Sequence, residues 1–129
     1  MATKVSTNSV KRLTKNAKLL KVIIRSIQEK KGANILSLDL RKISEAAADF
    51  FIICEADSTT QIKAIADNVE EQTTLQLGEK PYRSEGRSQL HWVLVDYINV
   101  VIHIMLPDVR RRYRLEELWC DAPEQKFEN

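Results

Sequence analysis

The sequence predicts an α+β fold within the broad α/β group: one mixed sheet of about five strands covered by helices. Three observations carry this. Residues 10–30 place Leu13, Ala17, Leu20, Ile24 and Ile27 at steps of four and three, with Ile23 widening the stripe and lysines elsewhere, which is the spacing of an amphipathic helix. The run from Phe50 to Cys54 is apolar throughout and suits a central strand covered on both faces. Leu90 to Asp96 and Ile98 to Leu106 read as the two strands of a hairpin, the second stopped by Pro107.

The remaining elements fit around these. Gly32, just past Lys30 and Lys31, marks the end of the first helix. Ile35 to Leu40 alternates apolar and polar residues, as a strand with one solvated face does. Ser58 can cap a second helix, with Gln61 three residues on as in a capping box. Ile62, Ile65, Ala66 and Val69 form its buried stripe, and Gly78 ends it. Pro81 and Tyr82 open a short strand or extended link, and Arg110 to Leu118 is a short helix or turn. The tail from about Asp121, with Pro123 and mixed charges, is expected to fray. The order is α-β-β-α-β-β-β-α, in a single domain over 1–129 with no repeats.

Composition narrows the class. At 129 residues, 43% hydrophobic and 29% charged, the chain can bury a core without staples. Cys54 and Cys120 follow no metal or redox spacing, and Cys54 ends an apolar run, as a buried thiol would. No apolar run approaches 18 residues and Met1 to Ser9 has no signal-like stretch, so a cytoplasmic protein is expected. The net charge of +2 hides an asymmetry: residues 1–31 carry +8 and the rest −6. A basic arm on an acidic body suits contact with rRNA through Lys11, Lys15 and Lys18; a solvated lysine-rich helix face gives the same pattern.

Candidate chemistry concentrates in the last third. If Tyr97-Ile98 is a two-residue hairpin loop, Trp92 pairs with His103. Trp92, Leu94 and Asp96 then share a sheet face with Val101 and His103, while His91 faces away. An indole beside an imidazole suits a binding patch; it equally suits a half-buried Trp with a histidine satisfied by a carbonyl. Arg110 to Arg114 sets four guanidiniums around Tyr113, as an interface anchor or as a turn self-paired through Glu116 and Glu117. Leu115, Leu118 and Trp119 would pin that turn to the sheet. There is no Gly-x-Ser-x-Gly, Walker loop or Gly-rich fingerprint, and no Cys or His neighbour at ligand spacing, so no hydrolase, metal or cofactor is expected. Glu55 and Asp57, between a strand and a helix, are where a metal-dependent nucleotidyltransferase would place acids, but its third acid and glycine loop are missing.

Together these residues resemble the ribosomal silencing factor family, also called the RsfS or Iojap family. Its pattern falls on Ile53-Cys54, Ser58 to Gln61, Ala64-Ile65-Ala66-Asp67, Gly86, Trp92, Asp96-Tyr97, Val100-Val101 and His103. The closing motif falls on Arg110, Tyr113, Leu115, Glu116, Leu118 and Trp119, so the match runs over about residues 15–119. The resemblance implies a nucleotidyltransferase-like fold without the catalytic loop, and no enzymatic activity. It implies binding to the large ribosomal subunit at its subunit-joining face, through the ribosomal protein conventionally numbered fourteen. Small-subunit association would be blocked sterically, translation repressed under nutrient limitation, and large-subunit maturation aided. The contact residues implied are Trp92, Asp96, His103, Arg110 and Tyr113, in a monomer or weak homodimer. The family usually reads Asp-Tyr-Gly-Asp at the hairpin; here it is Asp96-Tyr97-Ile98-Asn99, so Asn99 is expected to take the positive φ.

Overall fold

The apolar run beginning at Phe50 lies inside the sheet, as its composition demands. In the computed structural model, which describes residues 7–128 with side chains from residue 16, the elements are α1 (Thr7–Glu29), β1 (Ala33–Asp39), β2 (Phe50–Glu55), α2 (Thr59–Leu77), β3 (Arg83–Glu85), β4 (Trp92–Asp96), β5 (Val100–Met105), α3 (Pro107–Tyr113), α4 (Leu115–Leu118) and β6 (Glu124–Phe127). The strand order is β3-β4-β5-β2-β1-β6. β2 and β5 run parallel and every other pair is antiparallel, so the sheet is mixed.

The sixth strand is a correction to the frayed tail expected from about Asp121. Glu124 to Phe127 pairs with β1, Phe127 opposite Ile35, and the Asp39 N–H donates to Pro123 O at 2.9 Å. The period-two pattern of β1 leaves a row of backbone donors and acceptors that an edge strand can satisfy, and Phe127 packs against the core as it does so.

Period two splits the sheet into two faces. On one, Ile52, Cys54, Val93, Val95, Val100, Ile102 and Ile104 meet α1 and α2. The buried apolar residues described on α1 are Leu19, Val22, Ile23, Ile24 and Ile27; Ala17 of the expected stripe is exposed, and Leu13 lies outside the described side chains. On the other face, Leu36, Leu38, Ile53 and Met105 meet Leu40, Ile43 and Ala46 of the β1–β2 connection and Val109, Leu115 and Trp119 of the closing turn.

α1 ends where expected but by a different device. Lys31, not Gly32, takes the left-handed conformation (φ 62°), and the N–H groups of Lys31 and Gly32 return to Gln28 O and Ile27 O. Gly32 is required for space, since a Cβ there would sit 2.3 Å from Ile27 Cγ2. Gln61 then ties the helices together. Its N–H donates to Ser58 Oγ at 3.1 Å, its Oε1 accepts from Asp57 N, and its Nε2 donates to Lys30 O and Lys31 O. A capping residue thus also fixes the start of α2 against the end of α1.

Candidate functional site

Trp92, Leu94 and Asp96 share one sheet face with Val101 and His103, as the alternation predicts, but the register differs from the expected one. Asp96 opposes Val101, Leu94 opposes His103, and Trp92 opposes Met105. The turn is Ile98-Asn99, closed by Tyr97 N donating to Val100 O at 2.8 Å. Ile98, not Asn99, carries the positive φ, at 73°. The Asp96 carboxylate explains why the turn settles there: Oδ1 accepts the Ile98 N–H at 2.7 Å, and Oδ2 meets Arg83 Nε at 3.3 Å from β3.

A shift of two residues preserves the face, so Trp92 and His103 still meet, now diagonally. The indole Nε1 donates to His103 Nδ1 at 3.0 Å. Accepting at Nδ1 puts the ring proton on Nε2, which has no hydrogen-bond partner among the described residues. Burial holds the His103 pKa down at about 4, so the imidazole is neutral at physiological pH.

Rings extend the pair in both directions. Tyr113 lies 4.9 Å from Trp92 between centroids, and Phe51 lies edge-on to His103 at 4.8 Å and to Trp119 at 6.0 Å. Tyr113 is 51% exposed, Trp92 half-buried and His103 buried, so the ring cluster grades from solvent into the core. Beside it Leu94 and Val101 stay half-exposed. Leu94 and Val101 lie on the face that the alternation assigns them, whereas Phe51 joins it from β2, where strand parity is the only signal for it.

The basic turn is largely self-paired. Arg110, only 11% exposed in its side chain, donates to Glu116 Oε1 at 2.5 Å and Asn34 O at 2.6 Å, and lies 3.5 Å from Glu55 Oε1. Arg111 pairs with Asp108, and Arg114 lies 3.6 Å from Glu117. Arg110 therefore ties α3 to β1, β2 and α4. Glu55 also accepts from Asn34 Nδ2 at 2.9 Å and stands apart from any cation cage; among the described residues no three His, Cys, Asp or Glu side chains converge to hold a metal ion. Burial pushes the Cys54 thiol up to about 12, which leaves it protonated and unreactive. Lys18 is exposed on α1; the Lys11 and Lys15 side chains lie outside the described residues. Among the described residues no helix is long and apolar enough to cross a membrane.

This arrangement defines a class: a mixed-sheet α+β protein whose distinctive chemistry is a graded aromatic face braced by a part-buried ion network. The profile of the family described as "Ribosomal silencing factor during starvation" matches residues 13–129. The ribosomal silencing factor of Halalkalibacterium halodurans is 38% identical over 88% of this chain and 95% of its own length. That of Bacillus subtilis is 39% identical over 81% and 87%. A crystal structure of a Chromobacterium violaceum protein superposes with a TM-score of 0.75 at 36% identity, covering 81% of this chain and 85% of that one. The chain belongs to the ribosomal silencing factor (RsfS) family. A mouse relative, 37% identical over 55% of this chain and 32% of its own, is named mitochondrial assembly of ribosomal large subunit protein 1.

Proposed function

We propose that the chain docks on the large ribosomal subunit at its subunit-joining face, through the ribosomal protein conventionally numbered fourteen. There it excludes the small subunit by occupancy, represses translation when nutrients run short, and acts without enzymatic chemistry. The observation that carries this reading is the half-exposed Trp92 held in place by His103 and packed against exposed Tyr113. Rigid aromatic rings on a solvent-facing surface are what interface hot spots are made of. A body of this size can bury about 800 Å² on a partner, enough for stable docking.

Within this reading the implied contacts divide by role. Trp92 and Tyr113 touch the partner, with Leu94 and Val101 beside them. Asp96 holds the hairpin turn, His103 fixes the indole, and Arg110 sets the angle of α3 beneath Tyr113. The basic arm through Lys11, Lys15 and Lys18 lies toward rRNA, and reversing those three charges flattens the salt dependence of binding; an unchanged slope makes the arm a solvated face. The name of the mouse relative supports a second role in large-subunit maturation for the same docking surface.

The test is sedimentation of the purified protein with large subunits, small subunits and intact ribosomes on sucrose gradients. Comigration with the large subunit, and failure of small subunits to rejoin it, is the expected result. Absence from the large-subunit peak overturns the reading.

A further inference from the structure

A second feature lies at the opposite side of the molecule from the aromatic face. Where α1 leaves the β1–β6 edge of the sheet, a cleft of about 680 Å³ opens. That is within the roughly 300–1,000 Å³ typical of small-ligand sites. Its helix wall comes from one stripe of α1, with apolar Leu20 and Ile24 inside and Lys21 and Arg25 at the lip. Both cations are exposed and neither has an ion-pair partner among the described residues, unlike most arginines of the closing turn.

The floor is the helix-facing side of the sheet edge. Phe50 and Phe127 stand towards its two ends, Ser37 and Gln125 between them. Ser37 and Gln125 are paired across the β1–β6 ladder, so a hydroxyl and an amide lie side by side. Neither side chain has a hydrogen-bond partner among the described residues. Asp39 is neutralised by Arg41, which donates to it at 2.9 and 2.7 Å. Only Glu124 remains as an uncompensated acid on the lining, against Lys21 and Arg25, so the cleft is net cationic.

A cationic lip, aromatic and aliphatic walls, and an unpaired donor–acceptor couple on the floor match one ligand chemistry. We infer that this cleft holds one nucleotide of single-stranded RNA. The phosphate sits on Lys21 and Arg25, the base packs among Leu20, Ile24 and Phe127, and the base edge meets Ser37 and Gln125. Arginine forks onto phosphate oxygens, and unpaired bases bind by stacking and by hydrogen bonds at their edges. The assignment rests on the reading that α1 lies toward RNA, and extends it from a charged stripe to a site that takes a base.

The experiment is fluorescence anisotropy of the full chain with a labelled octamer of uridine, and with an abasic ribose-phosphate octamer of the same length. The uridine octamer should bind more tightly than the abasic one. K21E/R25E should weaken both by about tenfold or more. Phe127→Ala and Gln125→Ala should weaken only the uridine octamer, since neither changes the charge of the cleft and Gln125 lies at an exposed strand position. Equal affinity for the two octamers, no binding of either, or no effect of K21E/R25E overturns the assignment. Trp92→Ala keeps two failures apart. It should weaken large-subunit binding and keep octamer binding, whereas a chain that sediments with the large subunit yet ignores the octamer sinks the cleft alone.

Discussion

The indole nitrogen of Trp92 donates to Nδ1 of His103 at 3.0 Å across a diagonal of the β4–β5 ladder. The bond fixes the plane of a half-buried ring and leaves its outer surface to Tyr113 and solvent. Pre-ordering an anchor ring lowers the entropy lost when a partner covers it. Trp92→Ala should therefore weaken large-subunit binding by roughly 2 kcal/mol, about thirtyfold in Kd. Trp92→Phe keeps a ring but drops the bond, and should fall between the two. Quantitative pelleting against large subunits measures both; wild-type affinity in a folded Trp92→Ala variant removes Trp92 from the contact.

The same histidine ties stability to pH. His103 titrates at about 4 in the fold, because burial disfavours its charged form, against 6.5 for an ordinary histidine. Above pH 6.5 both folded and unfolded chains hold it neutral and the stability is intact. Between pH 6.5 and about 4 only the unfolded chain takes the proton, so stability drops as the pH falls. The loss is on the order of 3 kcal/mol across that window. Urea unfolding of the wild type and of His103→Phe at a series of pH values separates this from carboxylate titration, since the variant should be flatter over the upper part of the window. Parallel curves would mean that His103 is not the group responsible.

Much of this architecture was legible because period and punctuation agree. The capping pair Ser58 and Gln61, the left-handed Gly78 and the apolar run of β2 each predicted the element observed. The face shared by Trp92 and His103 survived a register error, because a slip of two residues preserves parity. Three things were not legible. The turn position depends on the Asp96 carboxylate capping Ile98 N, a side-chain choice that alternation does not encode. β6 forms because β1 offers a free edge, which its own four residues do not reveal. For Arg110 the pairing with Glu116 is one of the two readings the sequence offers, but the long-range partners Asn34 and Glu55 come only with the fold.

Ile98 carries the clearest local cost in the chain. A β-branched residue at φ 73° crowds its Cβ against the backbone, and such a conformation costs on the order of 1–2 kcal/mol. The turn tolerates it because Asp96 Oδ1 and the Tyr97–Val100 bond fix the geometry on both sides. Ile98→Gly should raise stability by about 1 kcal/mol, the relief of strain being partly offset by the greater freedom of glycine when unfolded. Thermal unfolding measures it, and a drop in Tm would show that the 59% exposed Ile98 side chain contributes more packing than its exposure suggests.

Arg110 separates structure from docking. Its guanidinium is nearly buried and serves two carboxylates and a carbonyl, so Arg110→Met leaves Glu55 and Glu116 facing each other without a cation. Breaking one side of such a network costs about 3 kcal/mol, whereas removing the whole network costs far less. Arg110→Met should therefore unfold at markedly lower urea, and adding Glu55→Gln and Glu116→Gln should restore most of the loss. With that triple variant folded, α3 still presents Tyr113 to Trp92, and affinity for the large subunit should stay within a few-fold of wild type. A large affinity loss in a stable triple variant would instead place the Arg110 guanidinium in direct contact with the partner.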